Sequence, residues 1–286
     1  MRYRPFNQAG LAVSAITLTL EPASLSEAKR MELVFSALEA GINSFELADT
    51  SADWRPVLQA AIEAAGRNVL VLTLRAPSSR DPGAVGALKA QVSGCLEQIG
   101  AARFDAVLLD DDGASSPADT AELQALRGEG LAGAVGVTCG RSGPSLDLLN
   151  AGYDVLATPF GLQADAGLRK RLRSLGERNI TLMGYDFFDV GAAPAAAEAP
   201  KGLGRFFKRA PVALADTDIY EFLRRTPSWS AEEIALAYAL TEPSIATVRV
   251  QTTDVATLNG LAKAVERELP AGAAAQIEMA RFSAPA

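Results

Sequence analysis

Six carboxylates stand at the ends of short apolar runs, where side chains from separate segments can converge. They are Glu46 and Asp49 in "SFELADTS", Asp110, Asp111 and Asp112 in "VLLDDDG", and Asp186 in "LMGYDFF". Two carboxyls in unlike surroundings can run acid–base chemistry, one protonated and one ionised. Several together can hold Mg²⁺ or Ca²⁺ through oxygen. Arg75, in "VLTLRAP", falls between the second and fourth of these runs and can neutralise Glu46 or Asp110. Aspartates after strands also serve as turn and cap residues, and an arginine among them is commonly a structural ion-pair partner. On that account no metal site is assigned, and Glu46 and Asp110 are the candidate catalytic carboxyls.

The chain contains no histidine. This excludes a serine–histidine–aspartate triad, a cysteine–histidine pair, histidine metal ligands and imidazole acid–base catalysis. Of the two cysteines, Cys95 follows apolar helical spacing and reads as core. Cys139 ends a strand, within reach of a ligand, but has only Arg141 near it in sequence to activate a thiol. Neither spacing suggests a disulfide or metal pair, which fits a reducing compartment.

A formal charge of −7 without a cationic tract argues against nucleic acid or an anionic membrane as partner. The basic run "RKRLRSLGER" at 169–178 has Leu168, Leu172 and Leu175 at helical spacing and reads as a solvated helix face. No apolar run is long enough to span a bilayer, and "MRYRPFNQAG" lacks the order of a signal peptide. The expected address is the cytoplasm and the expected partner a small molecule; oligomeric state is not legible.

The elements that must position these groups alternate. Strand patterns fall at 11–20, 43–49, 68–75, 104–110, 133–139, 154–160, 180–186 and 245–251. Helical patterns fit between and after them at 26–41, 54–66, 81–100, 116–130, 142–152, 165–179, 230–243 and 254–269. Asp81 before Pro82, Ser116 before Pro117, and Ser230 with Glu233 match helix-start chemistry. Eight such units predict an α/β fold of the (β/α)8 TIM-barrel type, a single domain over 1–286 with its working face at the strand C-termini. A doubly wound sheet is disfavoured because no Gly-x-Gly-x-x-Gly follows the first strand. Residues 187–229, including low-complexity "VGAAPAAAEAPKGLG", read as a long loop over the mouth with a short helix in "DTDIYEFLRR"; residues 270–286 read as a C-terminal tail.

The order and spacing of "MRYRPFNQAGLAVSAI", "ALEAGINSFELAD", "FDAVLLDDD", "LRGEGLAGAVGVT" and "ITLMGYDFFDVG" resemble the aldo-keto reductase family over nearly the whole chain. The resemblance implies carbonyl reduction by NADPH through an aspartate, a tyrosine, a lysine and a histidine. At those four positions the sequence has Glu46, Ser51, Leu74 and Asp110, with Arg75 beside the third. The proton donor is then missing, since a serine cannot replace a tyrosine whose pKa a cation has lowered.

The resemblance also implies nicotinamide contacts. Thr138 with Cys139 and Ala157 stand where the family has a serine–asparagine pair and a glutamine, and Thr17 and Thr19 stand where strand one has glycines. Gln251 and Thr257 replace parts of the phosphate turn. Tyr185 matches the tyrosine that stacks on nicotinamide, and Thr138 keeps a comparable hydroxyl. The leading expectation is a degenerate barrel that binds a small molecule or partner without NADPH. The second is an NADPH-dependent oxidoreductase with Glu46 as substitute acid, and the third a carboxylate-based lyase or isomerase.

Overall fold

The computed structural model describes residues 1–6, 10–48, 52–77, 86–110, 117–145, 148, 151–188, 222–223 and 226–283. An antiparallel hairpin, β1 (Tyr3–Phe6) and β2 (Leu11–Ser14), precedes eight parallel strands: β3 (Ile16–Leu20), β4 (Ser44–Leu47), β5 (Val71–Pro77), β6 (Ala106–Asp110), β7 (Val135–Thr138), β8 (Val155–Pro159), β9 (Thr181–Tyr185) and β10 (Ile245–Val250). The eight pair in sequence order and β10 closes on β3, so the expected (β/α)8 barrel forms. The helices are α1 (Glu27–Glu39), α2 (Arg55–Ala65), α3 (Ala87–Ile99), α4 (Pro117–Gly128), α5 (Ala166–Gly176), α6 (Ala231–Ala239), α7 (Val255–Ala264) and α8 (Ala273–Ser283). None is long and apolar enough to cross a membrane.

The apolar residues divide into two clusters. One lies between sheet and helices, where outward strand residues such as Leu18, Phe45, Leu74 and Val107 meet Val34, Leu58 and Val92. The other fills the lower barrel with Val71, Ala106, Leu108, Val155, Ala157 and Met183, and includes Phe6 and Val13 from the hairpin. The hairpin therefore plugs the N-terminal end of the barrel and leaves the opposite end for a site. Arg4 fixes it there, donating to the carbonyls of Leu240 at 2.7 Å and Glu242 at 3.2 Å and to that of Ile245, which satisfies acceptors left by the end of α6.

Cap chemistry sets several helix starts. Ser230 and Glu233 form the expected capping box, with both hydrogen bonds at 3.0 Å. Asp165 accepts from Leu168 N at 2.6 Å, and Asp254 from Thr257 N at 2.7 Å. Asp81 and Ser116 lie outside the described residues.

Three expectations are corrected. The run 11–20 is two strands rather than one: it breaks between Ser14 and Ile16, where the hairpin ends and the barrel begins. The basic run is not wholly solvated. Arg169 sits between the rings of Phe160 and Tyr238, each 5.0 Å away, and Arg173 holds buried Glu242 at 3.2 Å. Finally, residues 273–283 form α8, with Ile277 fully buried. Most of the 187–229 loop lies outside the described residues. Of the helical pattern at 142–152, residues 146, 147, 149 and 150 lie outside the described residues.

Gly136 on β7 is demanded by packing. A Cβ there would stand 1.7 Å from the Val155 carbonyl oxygen on the adjacent strand. Gly136→Ala is expected to cost about 3 kcal/mol or more. Gly94→Ala, in α3 with open space around it, should gain about 0.5–1 kcal/mol. Urea unfolding midpoints of the two variants should move in opposite directions.

Candidate functional site at the barrel mouth

Strand periodicity and register decide which side chains enter the mouth. Thr19 pairs with Glu46 and Glu46 with Thr73, so these face inward together, while Leu47 and Leu74 face the helices. Arg75, one residue beyond Leu74, therefore points into the mouth. Beneath this layer is a buried hydroxyl cluster, in which Thr17 Oγ1 lies 2.7 Å from Ser44 Oγ and 2.8 Å from Thr247 Oγ1.

Glu46 is fully buried. Its Oε2 lies 2.5 Å from Nη2 of Arg249, which is 7% exposed, and its Oε1 lies 3.5 Å from Arg75 Nε. Arg75 extends the chain of charges outward, to Glu21 at 2.8 Å and to Asp110 at 3.2 Å. Gln251 donates to the other oxygen of Glu21. The Asp110 side chain is 47% exposed. It forms the wet end of a network whose dry end is Glu46.

Burial pushes the Glu46 carboxyl above its ordinary range, against the pull of Arg249 and then Arg75. Burial likewise lowers the Arg249 guanidinium, with Glu46 opposing. An arginine nonetheless keeps its proton near neutrality. The pair is ionic rather than well hydrogen-bonded: neither Glu46 oxygen, nor Nε or Nη2 of Arg249, has a hydrogen-bond partner.

Arg249 also reaches the two residues expected to touch nicotinamide. Its Nη1 donates to Thr138 Oγ1 at 3.2 Å, and its guanidinium carbon lies 5.9 Å from the centre of the Tyr185 ring. The Tyr185 phenol donates to the Cys139 carbonyl. Burial, then Asp186, raises the phenol to about 12. A mouth cavity of about 620 Å³ is lined in part by Glu46, Arg75, Asp110, Thr138, Tyr185 and Arg249.

The structure thus brings together Glu46, Asp110, Arg75, Thr138 and Tyr185, with Asp186 at the cavity wall. Asp49, Ser51, Asp111 and Asp112 lie outside the described residues. Among the described residues, no group of three carboxylates or cysteines is placed to hold a metal ion. Leu74, the position matched to the family lysine, is in the helix-side core, and the mouth receives Arg75 instead. Cys95 is buried as expected; Cys139 is buried too, at 6% exposure. The central residue that the sequence does not single out is Arg249. Its signal is a lone charge within "IATVRV", a strand otherwise free of charge.

A phenol held at about 12 rather than 10 retains its proton in the fold after the unfolded chain has lost it. Its contribution to stability is complete below pH 10 and is lost as pH rises through about 12. Tyr238, also raised to about 12 by burial, behaves alike. Absorbance titration should show a late phase near pH 12 to which Tyr185 and Tyr238 contribute, its amplitude reduced in Tyr185→Phe. Ionisation of Tyr185 near 10 would contradict its burial against Cys139 and Asp186.

The barrel superimposes on the aldo-keto reductase AKR11C1 from Bacillus halodurans. For its holo form the TM-score is 0.73 at 17% identity, covering 98% of this chain and 96% of that one. For its apo form the TM-score is 0.70 at the same identity and coverage. Identity this low shows likeness of fold alone. Comparison with curated protein sequences gives no match. Residues 15–281, however, match the Aldo/keto reductase family, nearly the whole barrel with its last helix. The chain belongs to the aldo/keto reductase family.

Proposed function

We propose that this barrel binds a small molecule in its mouth and does not reduce carbonyls with NADPH. The observation that carries the reading is the position of Arg249. The family's typical cofactor is NADPH, and here its nicotinamide would need the Tyr185 ring and the Thr138 hydroxyl. Both are in contact with a guanidinium that Glu46 holds. The residues present therefore fit nicotinamide poorly.

The proton inventory supports the same reading. Hydride transfer to a carbonyl leaves an alkoxide that must be protonated as it forms, and a positioned acid typically contributes about 10²- to 10⁴-fold. The four family positions carry Glu46, Ser51, Leu74 and Asp110. Tyr185 is displaced in the wrong direction for an acid, to about 12. Protonated Glu46 would leave Arg249 buried without its counter-ion, a state that is costly for a buried pair. Asp110 is exposed and tied to Arg75.

The test is a calorimetric titration of the full chain with NADPH, with NADPH consumption followed on aldehyde and ketone substrates. The expected result is no binding at millimolar cofactor and no turnover. Micromolar binding, with reduction lost in Glu46→Gln, would establish the oxidoreductase reading instead.

A further inference from the structure

The last barrel strand opens almost directly onto a helix. β10 ends at Val250 and α7 begins at Val255, with Gln251 to Asp254 between them. In barrels of this type phosphate is frequently held by the loops after the last two strands and a helix N-terminus beside them. The first N–H groups of such a helix have no partner within it, and its dipole favours an anion there.

At α7 that position is already filled. Asp254 Oδ2 accepts from Thr257 N at 2.7 Å and from Thr257 Oγ1 at 2.8 Å, and the carboxylate takes a further hydrogen bond from the backbone of Ala256. These bonds, those from Thr257 foremost, hold the carboxyl below its ordinary range, so it is ionised at neutral pH. The N–H of Asp254 itself donates to Thr252 Oγ1 at 3.1 Å, and Gln251 turns its amide to Glu21. From Gln251 to Ala262 there is no lysine or arginine. A phosphate arriving here would find donors taken, a carboxylate in its place and no cation in the segment to offset the repulsion. The two preceding helices are closed alike: Asp165 caps α5, and Ser230 with Glu233 caps α6.

We propose that Asp254 closes the phosphate position of this barrel and sets the mouth to admit a small molecule without a phosphate group. The inference rests on the reading of the mouth as a small-molecule site. Gln251 joins the two places, since it lines the mouth cavity three residues before Asp254. This exclusion is independent of Arg249. Arg249 engages the side chains that nicotinamide would need, whereas Asp254 acts at the helix start where a phosphate would sit. Sugar phosphates and nucleotides are therefore disfavoured even when they bring no nicotinamide.

The test is a phosphorus NMR titration of inorganic phosphate and of ADP with the full chain, as wild type, Asp254→Gly and Asp254→Ser. Wild type should leave both ligands' lines unbroadened at millimolar concentration. Glycine opens the position and serine keeps a neutral hydroxyl cap, so at least one variant should bind one of the two ligands about tenfold or more tightly than wild type. The cap is exposed and both replacements are accepted at helix starts, so the melting midpoints should stay close to that of wild type.

Binding of either ligand by wild type, or no gain in both variants, would overturn the assignment of Asp254. Neither ligand carries nicotinamide, so that result would leave the exclusion of nicotinamide by Arg249 standing. NADPH-dependent carbonyl reduction by wild type would instead remove the reading of the mouth on which the inference rests.

Discussion

A carboxylate and a guanidinium buried against each other in the barrel govern what the mouth can do. Removing two such charges from water is expensive, and their attraction offsets that cost only while both are present. Glu46 and Arg249 therefore hold each other, and through Thr138, Tyr185 and Arg75 they fix the neighbouring side chains. The hydroxyl cluster of Thr17, Ser44 and Thr247 beneath them and the apolar plug from the hairpin below keep that end of the barrel filled. The hairpin and its Arg4 anchor secure the end opposite the mouth.

A second buried carboxylate shows the same physics put to a structural use. Glu242, at the N-terminal end of β10, is held by Arg169 and Arg173 from α5 and by Ser244. Burial alone would raise its carboxyl, but the Arg173 contact and the Ser244 hydrogen bonds prevail and hold it below the ordinary range. This contact joins a helix to the start of a strand, away from the mouth cavity. Buried charge alone therefore does not mark a site in this protein; position at the strand C-termini and an adjoining cavity do.

Strands and helices are legible in the sequence because each unit repeats a short apolar run followed by a 3.6-residue pattern, and the barrel follows from their alternation. The side of the sheet taken by each residue is harder to read. An error of one position exchanges inside for outside, and so the match to the family lysine falls on Leu74 while Arg75 fills the mouth. Glu46, Asp110, Thr138 and Tyr185 can be named because each lies near the end of a strand. Arg249 is hidden because no family residue points to it, and its partner Glu46 lies more than two hundred positions away in the chain, a pairing that only barrel closure creates. The basic face of α5 is partly claimed by Glu242, a partner that lies far along the chain.

The mutual dependence of Glu46 and Arg249 is best measured by a double-mutant cycle on folding stability, using wild type, Glu46→Gln, Arg249→Met and the double variant in denaturant. Arg249→Met alone should cost about 3–5 kcal/mol by leaving a buried carboxylate without its main counter-ion. The double variant should cost less than the sum of the two single changes, by about 2 kcal/mol or more. Additivity within about 0.5 kcal/mol would mean that the two side chains do not hold each other, and the pair could not then be what organises the mouth.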